Sequence, residues 1–156
     1  MCLLFLHCKK KHDLQPNIKG CEFLLTKIPE SNLFGLKSIW RGQIKVSISD
    51  PSRTIIDLLN TPKLGGGIRP VADILCNYLK SEYKNTTLLI EYAKKLNNGA
   101  VYKRLGFLLE HYAPEEKYLI EICKKSITRG NSKLDPQMEK ANLATRWHLW
   151  LLFKLF

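Results

Sequence analysis

The stretch Ser49-Asp50-Pro51-Ser52-Arg53-Thr54-Ile55-Ile56-Asp57-Leu58-Leu59 constrains the fold of this chain more than any other. Ahead of it, Gln43 to Ser49 alternates, with Ile44, Val46 and Ile48 on one face and Lys45, Ser47 and Ser49 on the other. That period of two belongs to a strand buried on one side. Behind it, Ile55, Leu58 and Leu59 recur at helical spacing. At the junction Asp50 is placed to accept the first free amide protons of a helix. Pro51 suits the first helical position, where its missing N–H costs nothing. A strand therefore hands over to a helix here, and the chain must mix the two.

The first fifty residues read as β-rich. Cys21 to Ile28 is an apolar run between Gly20 and Pro29, and Arg41-Gly42 is a tight turn joining Leu36–Trp40 to the alternating strand. One-sided burial predicts an antiparallel or edge position. After Asp50 five helices are predicted. The first is Pro51–Asn60, ended by Thr61-Pro62 and the glycines Gly65-Gly66-Gly67. The second, Ile68–Tyr83, places Val71, Ile74, Leu75, Tyr78 and Leu79 on one stripe. The third, Thr86–Asn97, buries Leu89, Tyr92, Ala93 and Leu96, and Asn97-Asn98-Gly99 closes it. The fourth, Ala100–Tyr112, buries Val101, Leu105, Leu108, Leu109 and Tyr112. The fifth opens at Pro114 and stops at Gly130, with Glu115 and Glu116 at its positive end and Lys124, Lys125 and Arg129 at its negative end. Its inward residues are Leu119, Ile122, Cys123 and Ile127. A polar loop, Asn131 to Asn142, leads to a final strand in Trp147–Phe156. The expected class is mixed α+β: a small N-terminal sheet, about five packed helices and a C-terminal strand, in one domain over residues 1–156.

Composition narrows the function classes. The 156 residues are 45% hydrophobic and 25% charged, which fits a folded chain with its own core. The formal net charge of +11 attracts polyanions such as nucleic acid, an acidic membrane surface or an acidic protein. It equally serves solubility. The cysteines Cys2, Cys8, Cys21, Cys76 and Cys123 form no CxxC pair and suit a reducing cytoplasm better than a disulfide framework. Zinc ligation by Cys2, His7, Cys8 and His12 has spacings unlike a known knuckle. Met1–Leu6 lacks the charge and cleavage site of a signal peptide, and the apolar tail is half the length of a membrane span. Both read as strands, with an interfacial anchor as the alternative for the tail.

Signals for catalysis are sparse, and no enzymatic activity, cofactor or metal is expected. His7, His12, His111 and His148 stand in no triad or metal motif. His111 ends a helix, where a cation favours the dipole. Asp50 and Asp57 are two helical turns apart, yet Asp50 already serves as a cap. Leu64-Gly65-Gly66-Gly67-Ile68 opens a helix and could cradle a phosphate, but it lacks the Gly-Lys-Ser/Thr ending of a P-loop and also reads as a plain turn. Lys103 and Arg104 open the fourth helix, while Lys94-Lys95 and Lys124-Lys125 lie on the outer faces of its neighbours. Side-by-side packing of those helices predicts a positive surface for a phosphate backbone or an acidic partner, to which Arg53 is added. Gly106, inside the same helix, permits close approach of a neighbour at about 1 kcal/mol in helix propensity.

These segments together resemble the C-terminal domain of the AbiEi-type antitoxins, the abortive-infection antitoxins of bacterial type IV toxin–antitoxin systems. The likeness runs from Asn17 to Trp147. It is carried by Phe34-Gly35, by Asp50-Pro51 with Thr54 and Asp57, and by Gly66-Gly67-Ile68. It continues in Arg104-Leu105-Gly106-Phe107-Leu108-Leu109-Glu110, Leu134-Asp135-Pro136 and Arg146-Trp147. The resemblance implies a cytoplasmic domain that counters a nucleotidyltransferase toxin, with a positive face assisting operator DNA binding and transcriptional autoregulation. In that family a winged helix-turn-helix precedes the domain. The residues ahead of Asn17 carry no such pattern, so that element is expected to be absent here. The apolar tail, Leu149 to Phe156, departs from the family's polar final strand. A nucleic-acid-binding regulator working through the basic helical face is the alternative reading.

Overall fold

A computed structural model describes residues 28–137, 139 and 142–151, together with the backbone of 17–18 and 21–22. The class is mixed α+β. The chain divides into two compact units, Met1–Asp50 and Pro51–Phe156. The boundary falls at the strand-to-helix handover, inside what the sequence presents as one domain.

In the first unit β1 (Asn17–Ile18) pairs antiparallel with β2 (Cys21–Glu22). A 3-10 turn at Glu30–Asn32 leads to β3 (Leu36–Arg41), which pairs antiparallel with β4 (Ile44–Ser49). The register joins Arg41 to Ile44, so Gly42 and Gln43 form a two-residue loop. Gly42 supplies the positive φ, +62°, that such loops require. Ile39, Val46 and Ile48 are half-buried, but Ile44 is exposed, because it borders the turn at the tip of the hairpin. Most of the apolar run predicted at Cys21–Ile28 lies outside the described residues, as do Met1–Leu6 and the end of the tail.

The second unit is helical: α1 (Pro51–Asn60), α2 (Ile68–Lys80), α3 (Thr86–Leu96), α4 (Gly99–Tyr112) and α5 (Lys117–Lys125). Three short strands follow, β5 (Ser132–Lys133), β6 (Leu143–Ala144) and β7 (Leu149–Trp150). Their order is β5-β7-β6, with β7 parallel to β5 and antiparallel to β6. Helix α1 packs against α2, α3 and α4, and α5 lies along α4. The core is Ile55, Ile56 and Leu59 from α1, Val71 and Leu75 from α2, Leu89 and Ala93 from α3, and Leu105, Leu108 and Leu109 from α4, closed by Leu119 and Cys123.

Caps explain the boundaries. The Asn85 side chain accepts from Leu88 N–H at the start of α3, and the Asn98 side chain accepts from Ala100 N–H at the start of α4. Asn97 ends α3 in the left-handed region, φ +49°, donating to Ala93 and Lys94 carbonyls. Helix α2 ends at Lys80, short of the predicted Tyr83, because Ser81 turns back and its hydroxyl donates to Tyr78 O at 2.8 Å. Helix α5 begins at Lys117 rather than Pro114: Ala113 to Glu116 forms a turn, with Glu116 N–H donating to Ala113 O at 3.0 Å. It ends at Lys125, so Ile127 and Arg129 lie beyond it. Two residues predicted inward are exposed, Ile74 and Tyr112. Ile74 sits about 100° around the helix from Leu75, off the stripe made by Ile68, Val71, Leu75 and Tyr78.

Cys123 is fully buried, and burial pushes its thiol up to about 12. In the unfolded chain the thiol ionises near its ordinary value while the folded thiol stays protonated. The sign follows: stability is fully present below that ordinary value and is lost as pH rises above it. Urea denaturation should show the wild type losing about 1–2 kcal/mol more than Cys123→Ala between about pH 8 and 10. Parallel curves would contradict it.

Candidate functional site

Helix α4 is the centre of the second unit because two of its faces are buried. One is the apolar stripe Val101, Leu105, Leu108 and Leu109. The other runs Gly99, Lys103, Gly106 and Glu110, at the i, i+4, i+7, i+11 spacing of a single face. Segments returning from α5 and from the C-terminal strands lie along this second face. A Cβ on Gly99 would stand 2.5 Å from Thr128 Oγ1, and a Cβ on Gly106 would stand 2.1 Å from the Trp147 ring. Between them the Lys103 ammonium donates to Gly130 O, with Ser132 Oγ at 3.5 Å. Burial pushes the Lys103 ammonium below its ordinary value.

At the last position of the stripe the Glu110 carboxylate is shared. Trp147 Nε1 donates to Oε2 at 2.6 Å, and Arg146 Nη2 lies 2.9 Å from Oε1. Trp147 is itself buried, so its indole N–H needs a partner, and Glu110 supplies one.

Arg104 joins three separate pieces of chain. It is 4% exposed. Its Nη1 donates to Leu59 O at 2.8 Å and Asn60 O at 3.2 Å, carbonyls at the end of α1 that lack intrahelical partners. Its Nε donates to Lys133 O and Leu134 O, both at 3.1 Å, and its Nη2 to Lys133 O at 2.9 Å. Burial pulls the guanidinium below its ordinary value, and the charge of Asp135 acts against that pull. The cation stays protonated throughout. It also complements the negative end of the α1 dipole.

Asp135 is buried and anchors the start of α2. Its Oδ2 accepts from Ile68 N–H at 2.9 Å, and its Oδ1 accepts from Gln137 N–H at 3.0 Å. Gly66 and Gly67 adopt φ +84° and +105° ahead of it. A Cβ on Gly67 would stand 3.0 Å from Asp135 Oδ2. The anion received at this glycine turn is thus the chain's own carboxylate. The free-phosphate alternative loses the Ile68 amide.

Two further residues tie the bundle. Ser52 Oγ and Tyr78 Oη are 2.8 Å apart, and Tyr78 Oη accepts from Asn85 N–H at 2.7 Å. The sequence places Tyr78 on the inward stripe of the second helix, but a serine and a tyrosine on helical stripes carry no signature of such a link.

The predicted cationic surface is therefore corrected in part. Arg53, Lys103 and Arg104 are buried. Arg53 Nε is held by Asp57 at 2.9 Å, one turn along α1, and the other two find backbone carbonyls. Lys94, Lys95, Lys124 and Lys125 are exposed, in the last turns of α3 and α5. The Gly99–Thr128 contact brings the ends of these helices to the same end of the unit. Asn98 Nδ2, donating to Asn60 Oδ1 at 2.7 Å, brings the end of α1 there too. Lys95 is paired with Glu91 at 2.8 Å. His111 is exposed and stacks on Phe107, with ring centroids 6.3 Å apart. Of the remaining motif positions, Leu105 is buried, Pro51, Asp50 and Asp57 are half-buried, and Thr54, Pro136 and Arg146 are exposed.

Among the described residues no group of three His, Cys, Asp or Glu side chains is placed to hold a metal ion, and no helix is long and apolar enough to cross a membrane. The cysteine–histidine set at Cys2, His7, Cys8 and His12 lies outside those residues. No protein-family profile, curated protein or solved structure matches the chain.

Proposed function

We propose that this chain is an antitoxin domain of the AbiEi type that counters a nucleotidyltransferase toxin. One observation carries the reading. The residues on which the resemblance rests engage one another: Gly106 and Glu110 with Trp147, Glu110 with Arg146, Asp135 with the turn after Gly66-Gly67, and Arg104 with the carbonyls of α1 and of Leu134. Short motifs scattered over a chain coincide by chance easily. Motifs that interlock into one framework are what a shared scaffold requires. Co-expression with a nucleotidyltransferase encoded beside this reading frame tests the proposal. Relief of growth arrest supports it, and arrest undiminished by abundant, folded protein rejects it.

A second reading, a regulator binding duplex operator DNA, is favoured by the exposed lysines at the ends of α3 and α5. The N-terminus of α4 lies at the same end and adds its positive dipole. On this reading affinity falls steeply between about 50 and 200 mM salt, and the double change Lys124→Glu and Lys125→Glu lowers the salt slope by about 2. Electrophoretic mobility shifts across that range decide it: a flat salt response removes this reading and leaves the first intact.

A further inference from the structure

We infer that Asn98 is a deamidation site gated by the first turn of α4, through which the chain converts with age to a form carrying a carboxylate at its cationic end. Of the chain's asparagines Asn98 alone precedes a glycine. The group that attacks an asparagine side chain is the backbone nitrogen of the next residue. A Cβ on that residue obstructs the attack, and glycine has none. Asn98 and Gly99 are both half-buried, so water and hydroxide reach them.

The fold requires both members of this labile pair. A Cβ on residue 99 would stand 2.5 Å from Thr128 Oγ1 and 2.6 Å from Thr128 Cγ2, so only glycine fits. Asn98 caps α4: its Oδ1 accepts from Ala100 N–H at 3.0 Å, and its Nδ2 donates to Asn60 Oδ1 at 2.7 Å. An aspartate or a serine there would keep the first bond and lose the amide donor. The same contacts hold the reacting atoms apart. Asn98 sits at ψ 111°, and its carbonyl accepts from Val101 N–H at 3.0 Å. Bringing the Gly99 nitrogen onto Cγ turns the chain about that ψ and carries both N–H groups off their acceptors. The chemistry therefore waits for the first turn to open, and helix ends are where opening is cheapest.

In the open turn hydroxide takes the Gly99 amide proton, and the nitrogen attacks Cγ. The N–Cγ bond forms, the Cγ–Nδ2 bond breaks, and ammonia leaves with a proton from water, which restores the hydroxide. Water then opens the cyclic imide. Cleavage at Cγ leaves aspartate at position 98, and cleavage at the main-chain carbonyl leaves an isoaspartyl link; nothing is oxidised or reduced. Aspartate still caps the helix, whereas the isoaspartyl link adds a methylene to the main chain and displaces the cap. Either product sets a negative charge at the end of the unit that carries Lys94, Lys95, Lys124 and Lys125, and weakens the positive field there.

The test incubates the full chain at mildly alkaline pH, folded and in urea, and follows the tryptic peptide Leu96–Lys103 by mass spectrometry. Fragmentation of that peptide separates conversion at Asn98 from conversion at Asn97. In urea Asn98 is expected to convert ahead of Asn131, the asparagine before Ser132. In the folded chain conversion is expected to run about 5- to 50-fold slower. Asn60→Ala removes the partner of Nδ2 and should speed the folded reaction about 2- to 10-fold while leaving the urea rate unchanged. Asn60→Asp keeps an acceptor for Nδ2 and should stay at the wild-type rate. Circular dichroism confirms that both variants are folded at the start. Four results would each overturn the inference: equal rates folded and in urea, a lead for Asn131 in urea, a folded Asn60→Ala rate equal to wild type, or no acid at position 98 in the folded chain after about 100 times the half-time in urea.

Discussion

Replacing Arg104 with methionine is expected to destabilise the helical unit by about 3–5 kcal/mol. Methionine approximates the length and volume of the arginine stem, so the packing of α4 is largely retained and the loss is polar. The guanidinium bonds four carbonyls, those of Leu59, Asn60, Lys133 and Leu134. The bonds to Leu59 and Leu134 are buried, and a buried carbonyl deprived of its donor costs about 1–3 kcal/mol. The other two are partly exposed and recover water at smaller cost. Arg104→Lys should recover only part of the loss, because one ammonium cannot span carbonyls on α1 and on the 133–134 segment with the reach of a planar fork. The difference between wild type and Arg104→Met should stay flat from about pH 5 to 9, since the guanidinium does not titrate there. Urea denaturation followed by circular dichroism measures all three quantities. A loss below about 1 kcal/mol for the methionine variant would mean that the carbonyls find other donors.

This arginine also marks where the sequence was legible and where it was not. The bounds of α1 were readable to the residue because Asp50-Pro51 opens it and Asn60-Thr61-Pro62 closes it, each through local chemistry. The start of α3 at Thr86 agrees with the expected one, but Asn98 reads in the sequence as part of the turn closing α3, whereas it caps α4, which begins at Gly99 rather than Ala100. The start of α5 was not readable either. Pro114 serves a first helical turn and a preceding loop equally well, and only the bond from Glu116 N–H to Ala113 O separates the two.

The charged interior was hidden differently. Arg104 lies between Val101 and Leu105, Leu108 at the i, i+3, i+4, i+7 spacing of the buried stripe, so its position was available from periodicity alone. Its charge pointed outward. What accepts it is main-chain oxygen, which leaves no trace in residue identity. Lys103 was hidden the same way, since its acceptor is the Gly130 carbonyl. The positions that were readable as an outer cationic face, Lys94, Lys95, Lys124 and Lys125, are those at helix ends, where cations offset the dipole and have no carbonyl shelf above them.

Gly106→Ala should cost about 2–4 kcal/mol, although alanine is the better helix former by about 1 kcal/mol. The added methyl would stand 2.1 Å from Trp147 Cζ3 and 2.3 Å from Cη2. Those are carbons of a rigid ring that is 1% exposed, and a ring cannot yield as the end of a flexible side chain can. Nor can it slide along α4, because its Nε1 is bonded to Glu110 one turn further on. The indole must therefore leave its seat, giving up its burial and its bond to the carboxylate together. The same geometry fixes the sign of the coupling. Once Trp147→Ala has removed the ring, Gly106→Ala has nothing to strike and should become neutral or stabilising by up to about 1 kcal/mol. A double-mutant cycle by urea denaturation measures this directly, and an equal cost in both backgrounds would show that the glycine serves some other contact. Because Trp147 sits two residues before β7 and beside Arg146, displacing it removes one of the ties between the C-terminal sheet and α4, while Arg104 still holds Lys133 of β5. In the toxin co-expression assay Gly106→Ala should then protect less than the wild type at matched expression, whereas adding it to Trp147→Ala should lower protection no further.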